Sequence, residues 1–460
     1  MMRRMSLHRR TVLGIGLAVA AATVAGCREV ARSATAGPSA APTASAGASA
    51  SAAPSRSAAA RIAAPDATGT SGATVRGGAN AAGRLVIITL DRHLSPTRAN
   101  PQHPAYAGAV ALCLVNGAMV ARAVTGKALR YDAGPVLLPA SKQVTMRYDS
   151  IFDLASITKV YTSILALQQV DKGRIDLSAR VVDYLPGFTG TGKDKVTVAM
   201  LLSHTSGLPV GAKVAGLPDD AARRAAVLAT PLVSGAVPGT VFRYSSVGLM
   251  VLAFLVEKVT GQRLDQALKT GLTGPLGLRY TGFNPKTWLS AADQAARLVA
   301  TDARSSRGLL RGVVHDDVAN HMGGIAGHAG IFSTPAEVAV IGELLLNGGA
   351  YRGVRILSEE ITRQMLTNVN AGLPAVDPER PTRTAAHGLG VVLDQPWFMG
   401  RLSGPRTFGH TGFTGTSLVV DPDRRMVLVL LTNRAHPNWS WANPDPVRVD
   451  VADIVAAIPR

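Results

Sequence analysis

Cysteine is nearly absent from this chain of 460 residues, which contains only Cys27 and Cys113. A disulfide framework is therefore excluded as the basis of the fold. Cys113 lies in the apolar run 110–115, where a thiol is usually buried and inert. If Cys27 carries a lipid, as considered below, no intramolecular disulfide can form and the protein depends on its core alone.

Aromatic residues and runs of like charge are also scarce. Phe, Trp and Tyr make up only 5% of the sequence, which argues against a stacking surface for single-stranded nucleic acid. The formal net charge is +18, but no run of five or more like charges occurs. Nucleic acid is therefore excluded as a partner, whereas non-specific attraction to anionic lipid or cell-wall polymer is expected.

The first 27 residues lack an apolar run long enough to span a bilayer. Residues 12–25 are apolar, and they follow four arginines, Arg3, Arg4, Arg9 and Arg10. This order is typical of an export signal, and both the twin-arginine and the Sec routes fit it. Residues 24–27, Val-Ala-Gly-Cys, resemble a bacterial lipobox, so we predict that Cys27 is lipidated. The alternative is a signal cleaved nearby, with Cys27 incidental.

Residues 28–82 lack the apolar side chains that a core requires. They are almost entirely Ala, Ser, Thr, Pro and Gly, which predicts a disordered tether. We therefore predict a signal peptide at 1–27, a tether at 28–82 and one folded domain at 83–460. This order places the domain outside the cytoplasm, on a lipid anchor at the outer face of the cell membrane.

The folded part has strand signals at both ends and helical signals between them. We predict strands at 85–90, 108–115, 118–125, 388–393, 415–421 and 426–432, the second and third joined by Asn116-Gly117. We predict helices after residue 154 and at 198–202, 219–229, 247–260, 264–271, 335–346 and 447–458. The fold class is therefore α+β, with an antiparallel sheet built from both chain ends and a helical region inserted between them.

Ser156 and Lys159 form a Ser-x-x-Lys motif at the start of a predicted helix. Residues three apart share one face of a helix, so the lysine can reach the serine hydroxyl. A serine becomes a nucleophile when a neighbouring base takes its proton, and the positive end of the helix dipole favours the developing oxyanion. A serine that merely caps the helix gives the same pattern.

Later stretches favour the catalytic interpretation. Tyr244-Ser245-Ser246 lies at the start of a predicted helix, and His410-Thr411-Gly412-Phe413 opens a predicted strand. With Ser-x-x-Lys, these stretches resemble the ordered motifs of the serine β-lactamase and penicillin-binding protein superfamily, and specifically its class C-related D,D-carboxypeptidase and esterase branch. The segments 201–208, 327–334 and 430–434 also resemble family segments. The resemblance covers residues 83–460 and implies the β-lactamase-like fold.

The resemblance implies an acyl-enzyme on Ser156. Lys159 and Tyr244 would share the proton transfers, and the backbone N–H groups of Ser156 and Phe413 would form the oxyanion hole. His410, Thr411, Gly412 and Ser246 would contact the substrate. No cofactor is implied, and the oligomeric state stays open. The implied substrate is a D-alanyl peptide of the cell-wall type or a small ester.

Two residues depart from the family pattern. Ser246 replaces a common asparagine, and His410 replaces the lysine of most true β-lactamases. A histidine with a pKa near its usual value is mostly neutral at pH 7, so we expect activity on carboxylate-bearing substrates to fall as pH rises through 6 to 7. Both changes disfavour a true β-lactamase, which stays an alternative beside a non-catalytic protein that binds cell-wall peptide or penicillin.

Some further residues admit structural and functional interpretations. His315, Asp316, Asp317, His321 and His328 are scattered through a loop-like segment without the spacing of a zinc helix, so we predict no metal site. His204 is interpreted as a structural hydrogen-bonding residue. For Trp397, Phe398 and Trp439, packing and lining of the substrate cleft both stay open.

Overall fold

The computed structural model describes residues 81–377 and 380–458. The predicted signal peptide, its lipidation site Cys27 and tether residues 28–80 lie outside the described residues. Residues 81 and 82, assigned to the tether from sequence, belong to a helix instead. Among the described residues, no helix has both the length and the apolar content that crossing a membrane requires.

Helices and strands follow one another in the order predicted from the sequence for most of the chain. The helices of seven or more residues are α1 (Ala81–Arg92), α2 (Thr158–Asp171), α3 (Asp220–Ala229), α4 (Ser246–Thr260), α5 (Ala291–Arg297), α6 (Pro335–Leu346), α7 (Glu359–Met365) and α8 (Asp445–Ala456). Shorter helices lie at Val181–Tyr184, Val198–Leu202, Leu264–Leu268, Asp317–His321 and Pro396–Met399.

One large antiparallel sheet contains strands from both ends of the chain. Its strands are β1 (Gly108–Val115), β2 (Ala118–Leu129), β3 (Val144–Thr145), β4 (Val392–Leu393), β5 (Phe408–Thr411), β6 (Ser417–Asp421) and β7 (Met426–Thr432). Their spatial order is β4-β5-β6-β7-β1-β2-β3. The early strand β1 pairs with the late strand β7, with Ala111 opposite Leu430. The predicted joining of the two chain ends in one sheet is confirmed.

Turn chemistry and side-chain alternation set the register of this sheet. Asn116 and Gly117 both have positive φ, 52° and 74°, as the tight turn between β1 and β2 requires. Along β1, Val110 points into the core on one face, and Ala111 and Cys113 point into the core on the other. Cys113 is buried, as predicted, and burial raises the pKa of its thiol to about 12.

The sheet lies between two helical layers. α1 and α8 cover one face, and α6 packs against β1, β6 and β7 on the other, beside the helical region that contains α2 and α4. A small sheet of Phe152–Asp153, Ile331–Ser333 and Gly282–Phe283 lies just before the predicted nucleophile. Paired strands of two or three residues lie at Tyr131–Asp132, Val136–Leu137, Phe242–Arg243, Ala300–Asp302, Leu310–Arg311, Ala350–Tyr351, Val354–Arg355 and Ala375–Val376.

The strand predicted at 85–90 is wrong, because this segment belongs to helix α1. Its β-branched content favours a strand, but Val86 and Leu90 are buried four residues apart while Leu85 and Ile88 face solvent. A short apolar run cannot be assigned from its period alone. Packing against β2 and α8 stabilises this segment as a helix.

Three smaller boundaries also differ from the prediction. The strand predicted at 388–393 is reduced to β4, and β6 begins two residues after Gly415, whose φ of 105° requires a turn. The helix predicted at 264–271 passes after Leu268 into a π-helical turn at Lys269–Thr273.

Candidate active site

A strained turn presents Ser156 at the start of α2. The chain leaves the strand Phe152–Asp153, passes through a 3₁₀ turn at Ala155–Ile157 and enters α2 at Thr158. Ala155 has a φ of +47°, a left-handed conformation that costs a residue with a Cβ about 1–3 kcal/mol. Such strain persists only where surrounding contacts enforce it.

Asp153 supplies two of these contacts. Its buried carboxylate accepts hydrogen bonds from the N–H of Ala155 at 2.9 Å and of His315 at 2.7 Å. Burial raises the pKa of Asp153, an effect that the two backbone donors only partly offset. The carboxylate therefore ties the turn before Ser156 to the loop that carries His315.

Lys159 contacts Ser156 directly. Its Nζ donates a hydrogen bond to Ser156 Oγ at 2.9 Å, so the predicted shared face of the first helical turn is confirmed. Nζ also donates to the carbonyl oxygen of His328 at 3.1 Å and lies 5.0 Å from the centre of the Tyr244 ring. The side chain of Lys159 is fully buried. These contacts hold a desolvated amine against the serine hydroxyl.

Tyr244 is held beside Lys159 by the segment that contains His204. The His204 ring lies 4.6 Å from the Tyr244 ring, and His204 Nδ1 accepts the backbone N–H of Ser245 at 3.1 Å. Ser245 Oγ in turn caps α4 by accepting the N–H of Gly248 at 2.9 Å. The predicted structural role of His204 is confirmed. Ser246, the first residue of α4, is buried immediately after this cap.

His410 lies on the sheet side of the same cluster, with its ring 6.3 Å from that of Tyr244. The ring is buried, and its Nδ1 donates to the carbonyl oxygen of Thr411 at 2.7 Å. Burial and then the nearby Lys159 lower the pKa of His410 well below its usual 6.5. His410 is therefore neutral between pH 6 and 7, and the expectation that it titrates as a substrate-binding cation in that range is wrong.

Gly412 brings the end of β5 against the nucleophile turn. A Cβ at this position would lie 2.3 Å from the carbonyl oxygen of Leu154 and 2.1 Å from Thr416 Oγ1, so only glycine allows the approach. Thr416 Oγ1 donates to Leu154 at 3.0 Å, and Thr414 Oγ1 donates to the carbonyl oxygen of Asp153 at 2.8 Å. The chain around Gly412 is thus fastened to both residues that lead into the turn.

Arg448 of α8 stabilises this arrangement from behind. Its Nη2 donates to the carbonyl oxygens of Gly412 at 2.9 Å and Thr416 at 3.0 Å, while Asp445 accepts from Nη1 at 2.8 Å. Burial lowers the pKa of Arg448 to about 10, so the guanidinium stays charged at neutral pH. Within the described residues, the N–H groups of Ser156 and Phe413 make no hydrogen bond, as an oxyanion hole requires.

Sequence reasoning missed a pair behind Lys159 that joins the buried His328 to the partly exposed Asp316. His328 Nε2 lies 2.9 Å from Asp316 Oδ1, and the backbone of the same histidine accepts from Lys159. Burial alone would raise the pKa of Asp316, but the His328 imidazole and Lys159 hold it well below its usual range. The Gly-His-Ala-Gly stretch at 327–330 was the available signal, although its spacing does not reveal this partner.

Most histidines and aspartates of segment 315–328 contact other side chains. In residues 81–377 and 380–458, no three His, Cys, Asp or Glu side chains come together as a metal-binding group. His315 Nε2 lies 3.3 Å from Asp302, and Asp317 pairs with Arg307 at 2.9 Å. His321 is exposed at the end of its short helix.

The three undecided aromatic residues divide between packing and exposure. Phe398 is buried, and its ring lies 4.6 Å from that of Trp397, which the guanidinium of Arg380 covers at 4.1 Å. Trp439 is 38% exposed and lies 5.6 Å from the ring of Phe413. Packing therefore accounts for the first pair, and Trp439 is the residue that borders the site.

A buried lysine on a serine at a helix start, with a tyrosine beside them and free amide donors opposite, is the arrangement of a serine hydrolase. Comparison with known proteins identifies the family. The profile of the β-lactamase family matches residues 98–453. The chain therefore belongs to the β-lactamase family of serine hydrolases, and the predicted β-lactamase-like fold is confirmed.

Proteins similar to this chain in sequence or in fold have different names. An Escherichia coli K12 protein named "Putative D-alanyl-D-alanine carboxypeptidase" is 33% identical over 358 residues, which are 71% of this chain and 78% of the relative. EstCE1, "a hydrolase with promiscuous acyltransferase activity", shares the fold with a TM-score of 0.60 and 20% identity, covering 82% of this chain and 98% of its own. A penicillin-binding protein homologue from Caulobacter crescentus has a TM-score of 0.59 at 20% identity and the same coverage.

Proposed function

We propose that this protein is a hydrolase that forms an acyl-enzyme on Ser156 and acts on D-alanyl peptides of the cell-wall type or on small esters. The observation that carries the proposal is the 2.9 Å hydrogen bond between the Nζ of the fully buried Lys159 and the Oγ of Ser156, which is partly exposed. The 33% identical relative named for D-alanyl-D-alanine supports the peptide substrate.

In the first step Ser156 Oγ attacks the substrate carbonyl carbon. Its proton passes to the Lys159 and Tyr244 pair, and the carbonyl oxygen takes the negative charge between the N–H groups of Ser156 and Phe413. Loss of one such donor costs about 10²–10³ in rate. The bond to the leaving group then breaks, the pair returns the proton to that group, and the acyl group stays on Ser156.

In the second step water hydrolyses the acyl-enzyme. Its oxygen bonds to the acyl carbon, its proton passes through the same pair to Ser156 Oγ, and the free acid leaves. Lys159 and Tyr244 are positioned for both proton transfers because they share one buried cluster around Ser156.

The neutral His410 and the short side chain of Ser246 disfavour efficient β-lactam hydrolysis. A buried neutral imidazole supplies no charge to hold a substrate carboxylate, so Thr411 and Gly412 would contact that end of the substrate through hydrogen bonds alone. A D-alanyl peptide also carries a carboxylate, so the neutral imidazole favours neutral esters over both, and the peptide substrate is supported by the named relative instead. Neither feature changes the acyl-transfer chemistry of Ser156.

The test is a substrate panel with intact-protein mass spectrometry on wild type, Ser156→Ala and Ser163→Ala. Ser163 is a buried serine two turns further along α2 and serves as the matched control. We expect wild type and Ser163→Ala to hydrolyse a D-Ala-D-Ala peptide or a short-chain ester and to show an acyl adduct, and Ser156→Ala to do neither. A lasting β-lactam adduct without turnover would indicate a binding protein, and no adduct with any electrophile would refute the proposal.

We also propose that the domain is exported and anchored by a lipid on Cys27. This rests on the basic start, the apolar run and the Val-Ala-Gly-Cys sequence at 24–27, which lie outside the described residues. Palmitate labelling of the wild type, but not of Cys27→Ala, in a bacterial host would support the anchor. Label in both proteins, or in neither, would refute it.

A further inference from the structure

Three rings form a row that starts at the nucleophile turn and ends in solvent. The His315 ring lies 5.3 Å from the Phe413 ring, which in turn lies 5.6 Å from the Trp439 ring. Phe413 and Trp439 are 46% and 38% exposed, in a chain with only 5% aromatic residues. We propose that this row is a subsite for an aryl or extended apolar acyl group of the substrate, an inference that rests on the proposed function.

The position of the row connects it to the reacting atoms. The N–H of His315 is fastened to Asp153, and Gly412, which precedes Phe413, presses against Leu154. Both ends of the His315–Phe413 contact are therefore held by residues two and three positions before Ser156. A group bonded to the carbonyl carbon at Ser156 meets this row within a few bonds.

The direction of the reaction assigns the row to the acyl side. The leaving group must face the residues that return its proton, Lys159 and Tyr244, and these lie in the buried cluster with His204 and His410. The other substituent of the carbonyl then points away from that cluster. The ring neighbours of Phe413 are His315 and Trp439 rather than the rings of that cluster, so this exposed aromatic surface lies apart from it.

The buried carboxylate of Asp302 lies beside the first ring of the row and binds the arginine beside the last. Asp302 accepts hydrogen bonds from Arg304 through Nε at 2.9 Å and Nη2 at 2.6 Å, and lies 3.3 Å from His315 Nε2. Burial alone would raise the pKa of Asp302, but His315 and Arg304 hold it well below its usual range. One charged carboxylate thus orients the first ring of the row and the arginine beside its last ring.

Guanidinium groups border the rings. Arg304 lies 5.8 Å from the centre of the Trp439 ring, and Arg434 lies 4.6 Å from that of Phe413. Aromatic faces bind planar apolar groups by stacking, and a cationic border disfavours an acyl group that carries positive charge. The subsite therefore fits an aryl or apolar acyl group that is neutral or anionic.

The experiment compares two p-nitrophenyl esters, the 3-phenylpropionate and the acetate, which differ only in the acyl group. We expect wild type to prefer the aryl ester about tenfold in kcat/KM, as expected for stacking on one or two rings. Trp439→Ala lowers this preference at least fivefold, and Trp439→Phe restores most of it. Trp288→Ala, which removes another tryptophan of similar exposure at 36%, leaves the preference unchanged.

The same subsite is tested without turnover by calorimetry on Ser156→Ala. We expect N-(3-phenylpropionyl)-D-alanine to bind at least tenfold more tightly than N-acetyl-D-alanine, and the added change Trp439→Ala to remove the difference. Equal affinities, or a preference that survives Trp439→Ala, would overturn the subsite. Failure of wild type to hydrolyse either ester would instead count against the proposed function, and the binding comparison would still decide the subsite.

Discussion

The two sides of Ser156 are built from different kinds of residue. On one side Lys159 and His410 are buried beside the half-buried Tyr244, in contact with histidines whose partners are mostly backbone groups. On the other side Phe413 and Trp439 expose large parts of their rings to solvent. The buried side holds its polar groups in fixed positions, whereas the exposed side can contact substrates of different shape.

Gly412 joins these two sides. It follows His410 and Thr411 in the chain, precedes Phe413 and touches the residues before Ser156. The two sides therefore require different residues. The buried side needs polar groups at fixed positions, the exposed side needs a surface that fits the substrate, and position 412 needs a residue small enough for the two to approach. Each requirement can be tested by substitution.

The largest expected effect is on the buried side. Lys159→Met keeps the length of the side chain but removes the amine that contacts Ser156, so we expect kcat/KM for the best substrate to fall at least about 10³-fold. Because the Lys159 side chain is fully buried and its hydrogen-bond acceptors are neutral groups, methionine removes a desolvation cost, and we expect the variant to gain about 1–2 kcal/mol in free energy of unfolding. Kinetics and urea denaturation measure the two effects.

Lys193→Met is the matched control for that variant. Lys193 is also buried, donates to the carbonyl oxygen of Leu228 and lies 4.4 Å from the Phe188 ring, but it contacts none of the site residues named above. We expect activity within about twofold of wild type. A comparable loss of activity in both variants would contradict a specific role for Lys159.

The next largest effect is expected at Gly412, which joins the two sides. Gly412→Ala places a Cβ where Thr416 Oγ1 and the Leu154 carbonyl oxygen now lie, so β5 must move away from Ser156. We expect kcat to fall about 10²-fold, because the Phe413 N–H shifts from the oxyanion position. Gly211→Ala, where an added Cβ meets no atom within 4 Å, should keep full activity. Unchanged kcat in Gly412→Ala would show that the Phe413 N–H is not part of the oxyanion hole.

A smaller effect concerns stability and pH on the buried side. His387 lies 4.9 Å from the His204 ring, and burial lowers its pKa to about 3. Since the unfolded chain binds this proton near pH 6.5 and the folded chain does not, stability is complete above 6.5 and is lost as pH falls toward 3. The loss contributes up to about 1.4 kcal/mol per pH unit.

His387→Leu tests this contribution by urea denaturation between pH 7 and 4.5. We expect the free energy of unfolding to fall less steeply with decreasing pH than in wild type. The difference in slope should correspond to the uptake of close to one proton on unfolding. His321→Leu, at an exposed histidine, should keep the wild-type slope. An unchanged slope in His387→Leu would show that this ring does not titrate on unfolding.

The smallest expected effect tests the charge of His410, which is neutral in the structure but was expected from the sequence to be a cation near pH 6. Burial and Lys159 keep the pKa of His410 well below 6.5, so its charge does not change between pH 6 and 8. The ratio of kcat/KM for a carboxylate-bearing ester to that for its neutral amide analogue should vary less than twofold over that range. A fall of this ratio as pH rises through 6 to 7, absent in His410→Gln, would restore the cationic role.

Local spacing allowed much of the buried side to be predicted. Ser156 and Lys159 meet because residues three apart on a helix are neighbours whatever surrounds them, and Asn116-Gly117 forms its turn for the same kind of local reason. The helix predicted at 335–346 has these bounds in the structure, where Thr334 caps it and Pro335 begins it. Segment 85–90 failed because packing against β2 and α8, which propensity does not see, overrides its β-branched content.

The sequence by itself therefore determined the contact between the candidate nucleophile Ser156 and Lys159 and the joining of the chain ends in one sheet, since these follow from short-range geometry and hydrophobic pattern. Only the tertiary structure decided that His410 is neutral and that the His328 carbonyl holds Lys159. It also placed Trp439 beside Phe413. Charge state and contact depend on burial, and much of the burial around Ser156 comes from segments distant in the chain, among them those of His328 and His410.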